Sequence, residues 1–434
     1  MGKIKITIGL LILLFLKTQF LFAQELRKEE KAKLLEKIKI ELINSYIIES
    51  TAKEMVSYLD EKIKSGQYEG IKNGEDFAFV VTSDLRKVSK DLHLGLIYSE
   101  KPIQSESEED VSEEIWLKNF LQSNGYGIQQ KEILEGNIGY LQIPFFGPIA
   151  QCADSLFEAM EFVAETDALI IDLRECRGSL DPDMIPLLCG YFFEKPVHLF
   201  DFENREKNTI RQMWSAAYVP GKRYHDKPIY VLTSGRTFSG GEELAYDLKH
   251  LDKAIIVGQV TKGGAQPNYP VYLNEHFVIT MPKERSVNAV TKTNWEQIGV
   301  KPTIETDAIR ALPRAHQLAV EDIIGKTIDP AQKEYLFTVL QNIERNQPVF
   351  KRVQFNLNGY LDAKEVFIAG SFNFWAPKNN PLIKQKDGWM VELEMSAGRQ
   401  GYKFVVDDQW ILDPANQNTI EEDGIINSVL VVEQ

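Results

Sequence analysis

Hydrophobic positions change their period along the chain, and each change predicts a different kind of structure. From residue 25 to about 90, leucine, isoleucine and valine recur at helical spacing between charged residues. This pattern predicts a small helical region that packs on the core or caps a cleft. The polar acidic stretch 104–114 predicts a linker. From 137 to about 304, short apolar runs alternate with helical patterns, as in an α/β core.

The C-terminal part of the chain shows two further patterns. Helical spacing returns over 308–347, where Asp329 and Pro330 are typical of a helix start. Beyond it, aromatic and β-branched runs are punctuated by glycine, proline and asparagine, which predicts a small antiparallel β-sandwich. The predicted division is a helical subdomain at 24–105, a linker at 106–135, an α/β core at 136–307, a helical linker at 308–348 and a β-sandwich at 349–434.

The amino terminus has the pattern of an export signal. Lys3 and Lys5 precede an apolar run over 6–16, and Ala23 closes a short segment before the charged sequence begins. This order is typical of a secretory signal peptide at 1–23, with cleavage after Ala23 as the favoured site. The apolar run is shorter than the roughly 20 residues that cross a bilayer. We therefore expect an exported protein, periplasmic or extracellular, with no stable membrane span in its mature form.

The net charge and the cysteine content argue against two kinds of ligand, nucleic acids and metals. Removal of residues 1–23 leaves 46 basic and 63 acidic residues, a net charge of −17. This balance argues against nucleic acid as a partner, because phosphate binding needs basic patches. The three cysteines allow one disulfide and show no metal-ligand spacing, so we expect neither a metal nor another cofactor.

Residues 228–251 contain a candidate nucleophile. An apolar strand breaks there and a helix begins just after Ser239. A serine in such a turn is exposed to substrate, Gly240 and Gly241 let a scissile carbonyl approach, and the helix N-terminus offers unpaired N–H groups to an oxyanion. The alternative is an ordinary N-cap serine, since Ser239 and Glu242 have capping-box spacing.

Two other glycine-containing turns follow predicted strands. The strand at 168–173 leads to Gly178, whose N–H would face the same oxyanion as the N–H of Gly240. Gly178 also suits a plain turn that needs positive φ. The strand at 254–258 leads to Lys262, which is either a general base or a solvated loop residue.

One of the six histidines has a context that suits a catalytic base. His93 lies in a strand-like alternation directly after a predicted helix. A neutral imidazole with a pKa near 6.5 accepts a serine proton at neutral pH, and a carboxylate orients such a pair. A half-buried strand histidine with no role is the alternative. His250 ends the helix after Ser239, where a cation suits the helix dipole, so its predicted role is structural.

The order of these segments over roughly residues 30–310 resembles the S41 family of serine peptidases, which includes the tail-specific proteases, the tricorn core and interphotoreceptor retinoid-binding protein. The family's D-L-R-x-N-x-G-G motif corresponds to 172–179, with Cys176 in place of asparagine and Ser179 in place of the second glycine. The family's S/T-A-S-A/G-x-E motif places the nucleophile at Ser239 and an oxyanion N–H at Gly240. No PDZ domain fits between the predicted linker and the core.

The resemblance also implies the remaining catalytic groups. Residues 261–265, Thr-Lys-Gly-Gly-Ala, are closer to the T-x-G-G-A of the tricorn and retinoid-binding branch than to the T-F-G-K of a serine–lysine dyad. In that branch the base is a histidine from a D-x-H segment, here His93, and a glutamate before G-V-x-P-D corresponds to Glu296. The implied catalytic set is Ser239, His93 and Glu296, with Gly178 and Gly240 for the oxyanion. Lys262 remains the alternative base.

The C-terminal segment resembles the glycogen-binding module of the AMP-activated kinase β-subunit and family 48 carbohydrate-binding modules. The similarity rests on GSFNFW at 370–375, YKFVVDDQW at 402–410 and GIINS at 424–428. It implies that two tryptophans stack on sugar rings while a lysine and an asparagine bond hydroxyl groups, here Trp375, Trp410, Lys403 and Asn427. Asp423 replaces a hydrophobic residue of the kinase module. The alternative is an immunoglobulin-like accessory domain whose tryptophans are core or interface residues.

Together these patterns predict an exported serine endopeptidase with a ClpP/crotonase-like α/β core, an N-terminal helical subdomain and a C-terminal all-β immunoglobulin-like sandwich. The expected partners are a peptide or protein substrate and an α-glucan or another glycan. Two alternatives stay open. One is a non-catalytic binding protein of the same fold, which the altered motif at 172–179 favours. The other is a glycan-docking component whose peptidase-like part recruits partners.

Overall fold

The computed structural model of the protein describes residues 26–103, 109–422 and 425–433, so the predicted signal peptide at 1–23 lies outside the described residues. The α-helices of this part are α1 (Lys28–Ser45), α2 (Glu49–Lys64), α3 (Gly74–Ser89), α4 (Glu109–Ser123), α5 (Ile149–Val163), α6 (Met184–Cys189), α7 (Gly240–His250), α8 (Ala308–Lys326) and α9 (Pro330–Arg345).

The β-strands follow in chain order. They are β1 (Gly95–Tyr98), β2 (Gln130–Leu134), β3 (Ile138–Gln142), β4 (Ala168–Asp172), β5 (His198–Asn204), β6 (Thr209–Trp214), β7 (Ile229–Thr233), β8 (Ala254–Gly258), β9 (Asn268–Tyr272), β10 (Phe277–Pro282), β11 (Glu284–Asn288), β12 (Ile304–Glu305), β13 (Phe350–Asn358), β14 (Val366–Gly370), β15 (Ile383–Lys384), β16 (Gly388–Ser396), β17 (Gly398–Val406), β18 (Gln409–Ile411), β19 (Thr419–Glu422) and β20 (Ile425–Val432).

The core of the α/β region is a six-stranded sheet in the order β12-β8-β7-β4-β3-β2. The first five strands run parallel and β2 is antiparallel. Both faces are covered: Leu169 and Ile171 of β4 pack with α5 to α7, whereas Ala168 and Ile170 pack with α8 and α9. Burial on two faces explains the continuous apolar runs, since no position of such a strand meets water. The predicted α/β core is confirmed.

The N-terminal helices α1 to α3 pack on a three-stranded antiparallel sheet, β1-β10-β9. Their apolar stripes meet strand β10, so the predicted helical region packs on the core through this small sheet. A second small antiparallel sheet has the order β11-β5-β6, and its strand β11 follows β10 directly in the chain.

The segment predicted as a linker at 106–135 contains regular structure, which corrects that part of the division. Helix α4 occupies much of it, and β2 pairs with β3 at the edge of the main sheet. Leu117, Phe120 and Leu121 of α4 pack against the core, at spacings of three and four residues. The run of acidic residues before them hid this stripe, because it dominates the composition of the segment.

The C-terminal region forms two antiparallel sheets, β13-β16-β15 and β14-β17-β20-β19 with β18 paired to β17. Alternate residues of facing strands, including Phe355, Trp389 and Phe404, enclose a separate hydrophobic core. The predicted β-sandwich is confirmed.

The structure also bears on membrane-spanning helices and on the state of the cysteines. Over residues 26–103, 109–422 and 425–433, no helix combines the length and apolarity needed to cross a membrane. Cys152, Cys176 and Cys189 are buried free thiols, so the disulfide that their number allows is not formed.

Candidate active site

Ser239 has an unusual backbone conformation at the start of α7. Its φ is 51° and its ψ is −119°, whereas an ordinary N-cap residue lies in the β region. A positive φ is costly for a residue other than glycine and is typical of strained functional turns. The Ser239 side chain makes no capping hydrogen bond to the helix. The helix therefore begins after Ser239, as the sequence predicts, but the serine is held in a strained turn.

Gly178 lies directly against Ser239. Its φ is +122°, and a Cβ at this position would be 2.9 Å from Ser239 Cβ and 3.3 Å from Ser239 Oγ. The two residues meet because each follows one of two adjacent parallel strands, β4 and β7, whose carboxyl ends share an edge of the sheet. Within the described residues, the N–H groups of Gly178 and Gly240 have no hydrogen-bond acceptor. Two unpaired donors therefore accompany the serine.

Glu242 is the buried centre of the turn. Its carboxylate accepts hydrogen bonds from the backbone N–H of Ser239 at 2.9 Å and from the hydroxyl of Thr261 at 2.5 Å. It also accepts from the N–H groups of Gly263 and Gly264, at 2.6 and 2.9 Å. Burial raises the pKa of Glu242 to about 7, against the opposite effect of these bonds. Sequence reasoning identified only its capping-box spacing and missed this role, because three of the four donors lie after the next strand.

His93 follows α3 in a turn fixed by Asp91, whose carboxylate accepts the His93 backbone N–H at 2.9 Å. The imidazole stacks on Phe238 with a centroid separation of 4.5 Å, and its Cε1 lies 2.9 Å from where a Gly264 Cβ would be. Its Nδ1 is buried without a partner. Burial, and then the positive charge of Lys262, lower the pKa of His93 to about 4. The ring is therefore neutral at neutral pH.

The structure brings His93 and Ser239 to the same turn without a hydrogen bond between their side chains. The link between them is Phe238, which immediately precedes Ser239 and stacks on the His93 ring. Gly264 adds a second link. It lies beside the His93 ring, and its N–H donates to Glu242 Oε2, the same oxygen that accepts the N–H of Ser239.

Glu296 lies on the other side of the same glycine turn. Its Oε2 accepts the N–H of Ala265 at 2.6 Å, and its Oε1 is buried without a partner. Burial and repulsion from Asp91 raise the pKa of Glu296 to about 8. Burial likewise raises the pKa of Asp91 to about 6, although the Tyr46 hydroxyl donates to its carboxylate. Glu296 Oε1 and His93 Nδ1 are thus two buried atoms without hydrogen-bond partners. Glu296 contacts Ala265 and the His93 ring lies beside Gly264, and these two residues are adjacent in one turn.

Lys262 also lies on Phe238, with its amine 4.8 Å from the ring centroid. Although its side chain reaches solvent, loss of water around the amine and then repulsion from Arg86 lower the pKa of Lys262. Both candidate bases therefore contact the residue before Ser239.

The four predicted glycan-binding residues lie on the β14-β17-β20 side of the sandwich. Trp375 and Trp410 have ring centroids 6.3 Å apart at an angle of 39°, and Trp410 is 46% exposed. The pairing of β17 with β20 ends at Tyr402 and Ser428, and Lys403 and Asn427 are the residues next to this last pair. Asn427 Oδ1 is buried without a partner. Asp423 lies outside the described residues.

Comparison with known families assigns the parts of the chain. Residues 137–306 match the model of Peptidase family S41, and residues 24–124 match the N-terminal domain of Peptidase_S41 in eukaryotic IRBP. Residues 352–434 match the glycogen recognition site of AMP-activated protein kinase. The two resemblances recognised from the motifs are confirmed.

Curated relatives match the C-terminal module. The 5'-AMP-activated protein kinase subunit beta-2 of Mus musculus is 42% identical over 71 residues, which is 16% of this chain and 26% of the relative. Subunit beta-1 of Sus scrofa is 34% identical over 71 residues, 16% of this chain and 57% of the relative. The matched segment thus spans about a quarter of the first of these proteins.

Solved structures resemble parts of this chain at lower sequence identity. The photosystem II D1 C-terminal processing protease has a TM-score of 0.34 at 20% identity, covering 39% of this chain and 42% of that protein. A putative peptidase from Parabacteroides merdae has a TM-score of 0.46 at 16% identity, covering 69% and 97%.

Proposed function

We propose that this chain, whose core matches peptidase family S41, is an exported serine endopeptidase in which Ser239 is the nucleophile, His93 the general base and Glu296 the residue that orients them. The observation that carries the proposal is the pair of unpaired N–H groups, from Gly178 and Gly240, beside a strained serine. Such preorganised donors stabilise the oxyanion of acyl transfer.

In the proposed reaction, Ser239 Oγ attacks the peptide carbonyl and its proton passes to His93. The carbonyl oxygen becomes an oxyanion that accepts from the N–H groups of Gly178 and Gly240. Collapse of this intermediate breaks the C–N bond, and His93 returns the proton to the leaving amine. Water then attacks the acyl-enzyme by the same steps and releases the carboxylic acid.

The buried groups of the site suit this proton transfer. The lowered pKa of His93 keeps the ring neutral at neutral pH but also makes it a weaker base, so the protonated ring needs a stabilising partner. Burial disfavours the charge of Glu296 when it stands alone, so an imidazolium formed beside it and the carboxylate would stabilise each other. Contact between Glu296 Oε1 and His93 Nδ1 would also satisfy two buried atoms that lack partners.

We also propose that the C-terminal module binds an α-glucan or another glycan on Trp375 and Trp410, with Lys403 and Asn427 bonding hydroxyl groups. A flat sugar face packs on indole rings, and Asn427 Oδ1 is a buried acceptor without a hydrogen-bond partner beside this face. Pull-down on immobilised glycans should succeed with the wild type and fail with Trp375→Ala and Trp410→Ala. Retention in both variants would leave the module an accessory domain.

The test of the peptidase is labelling with a fluorophosphonate probe. The protein from residue 24 onward should react, Ser239→Ala and His93→Ala should not, and Lys262→Ala should react as the wild type does. Loss of labelling in Lys262→Ala, with retention in His93→Ala, would move the base role to the lysine. No reaction of a well-folded wild type would favour a non-catalytic binding protein. Fractionation of cells that express residues 1–434 tests export to the periplasm or the medium.

A further inference from the structure

The C-terminal module packs against the turn that leads to Ser239. A Cβ at Gly235 would be 2.5 Å from Asn379 Nδ2 and 2.9 Å from Ala376 Cβ, so the module approaches the bare backbone of this turn. Asn379 Nδ2 also donates to Gln259 Oε1 at 3.0 Å, just past the end of β8. The module therefore contacts the same edge of the main sheet that carries the candidate site.

Phe374 of the module contacts two arginines of the peptidase core. Its ring lies 5.0 Å from the Arg174 guanidinium, and its carbonyl accepts from Arg236 Nη1 at 3.4 Å. The guanidinium is itself fixed, because it pairs with buried Asp172 at 2.6 Å. A fixed cation over an aromatic ring is a favourable and directional contact.

Backbone groups of the two arginines both bond the hydroxyl of Ser234, at the start of the nucleophile turn. The Ser234 hydroxyl donates to the carbonyl of Arg174 at 2.5 Å and accepts the N–H of Arg236 at 3.0 Å. The turn then continues through Thr237, whose hydroxyl donates to the carbonyl of Leu173, to Ser239. Phe374 thus contacts the side chains of the two arginines whose backbone groups bond the Ser234 hydroxyl.

The backbone at Phe374 connects this contact to the proposed sugar face. Phe374 and Trp375 have consecutive positive φ values of 54° and 56°, a conformation that residues other than glycine rarely adopt. Buried Asn373 fixes them: its Oδ1 accepts the N–H of Gly370, and its Nδ2 donates to the carbonyl of Ala376. The strained pair places Phe374 on the peptidase and Trp375 beside Trp410.

We propose that Phe374 is a positioning residue for the nucleophile turn, and that sugar bound on Trp375 and Trp410 accelerates acylation of Ser239 through it. The inference rests on the proposed peptidase and glycan-binding functions. A sugar that fixes the Trp375 ring also fixes the adjacent Phe374, because the two share one rigid turn.

The experiment measures the second-order rate of fluorophosphonate labelling of the protein from residue 24 onward, with and without maltoheptaose. We expect labelling of Phe374→Ala to be about tenfold slower than that of the wild type, equivalent to about 1.4 kcal/mol. Phe374→Tyr keeps a ring over Arg174 and should stay within about twofold of the wild type. The matched control is Phe337→Ala, which removes a half-exposed phenylalanine of α9 and should leave the rate unchanged.

Maltoheptaose separates positioning from a merely structural role. It should accelerate wild-type labelling about threefold. Phe374→Ala should bind maltoheptaose in calorimetry yet show no acceleration, because it lacks the ring that connects the sugar face to Arg174. Equal rates for Phe374→Ala and the wild type, in both conditions, would overturn the inference while the peptidase function stands. A wild type that does not react overturns both.

A second variant covers the case in which Phe374→Ala does not fold. Gly235→Ala introduces a Cβ that meets Ala376 and Asn379, so it separates the module from the turn without touching the sandwich core. We expect its labelling to lose the response to maltoheptaose. A folded Gly235→Ala with the wild-type rate and the wild-type response would overturn the inference.

Discussion

Replacement of Gly178 by alanine tests the proposed oxyanion site at one atom. The added Cβ would lie 2.9 Å from Ser239 Cβ and 3.3 Å from Ser239 Oγ, and 3.6 Å from the Gly240 nitrogen. The first of these distances is shorter than Cβ atoms show in real structures, so either the loop after β4 or the serine must move. Both movements disturb the two donors and the nucleophile together.

The expected magnitude has two parts. An alanine at φ +122° costs about 1–3 kcal/mol of folding free energy, since this conformation is nearly restricted to glycine. Alanine keeps the backbone N–H, but the shift moves this donor away from the oxyanion, and an oxyanion donor out of reach lowers the acylation rate by about 10²- to 10³-fold. The first part affects stability and the second affects only the reaction, so a suitable control separates them.

Gly398 provides that control. Its φ is +121°, and a Cβ there would have no atom within 4 Å. Gly398→Ala should therefore show a similar loss of stability with an unchanged rate of fluorophosphonate labelling. Gly178→Ala should remain folded, with labelling slowed by about 10²- to 10³-fold. If the two variants label within threefold of each other, Gly178 supplies nothing to the oxyanion and the assignment is refuted.

Three other predictions concern buried charge and the sugar face. Burial raises the pKa of Glu296 to about 8, so the folded protein keeps a proton that the unfolded chain releases above its usual pKa near 4.5, and the free energy of unfolding falls as pH rises between these values. Urea unfolding at pH 5 and pH 8 should show a smaller fall for Glu296→Gln than for the wild type, and equal falls would contradict this. Arg174→Ala leaves the buried Asp172 carboxylate without its cation and should lower the free energy of unfolding by about 3–5 kcal/mol in the same assay. A loss below about 1 kcal/mol would mean that the ion pair is not needed for stability. Trp410→Ala should abolish binding of maltoheptaose in calorimetry, whereas Trp116→Ala, which removes another exposed tryptophan, should bind it as the wild type does. Equal binding by the two variants would exclude Trp410 from the sugar face.

The strand–turn–helix around Ser239 could be predicted because its signals are local. An apolar run, a glycine pair and a capping-box spacing fall within about two dozen residues, and each follows from backbone preferences. The juxtaposition of Gly178 with Ser239 was also accessible, since turns after neighbouring parallel strands meet at one edge of a sheet.

The contacts that cross between segments could not be predicted in this way. The carboxylate of Glu242 gathers donors from Thr261, Gly263 and Gly264, and no local pattern marks a residue that serves distant backbone groups. The docking of the module on Gly235 is equally hidden, because a glycine in a turn already has a local explanation.

The altered motif at 172–179 was the sequence feature that favoured a non-catalytic protein, and the structure offers a physical reason why the alteration is tolerated. The Cys176 sulfur lies 2.9 Å from where a Gly241 Cβ would be, and the Ser179 Oγ lies 2.8 Å from where a Gly240 Cβ would be. The two substituted side chains thus fill space that the glycine pair after Ser239 leaves open. Gly178, the one position of the motif whose side chain would strike Ser239, is retained. The departures from the motif therefore leave Gly178 and Gly240 beside Ser239, as the proposed oxyanion site requires.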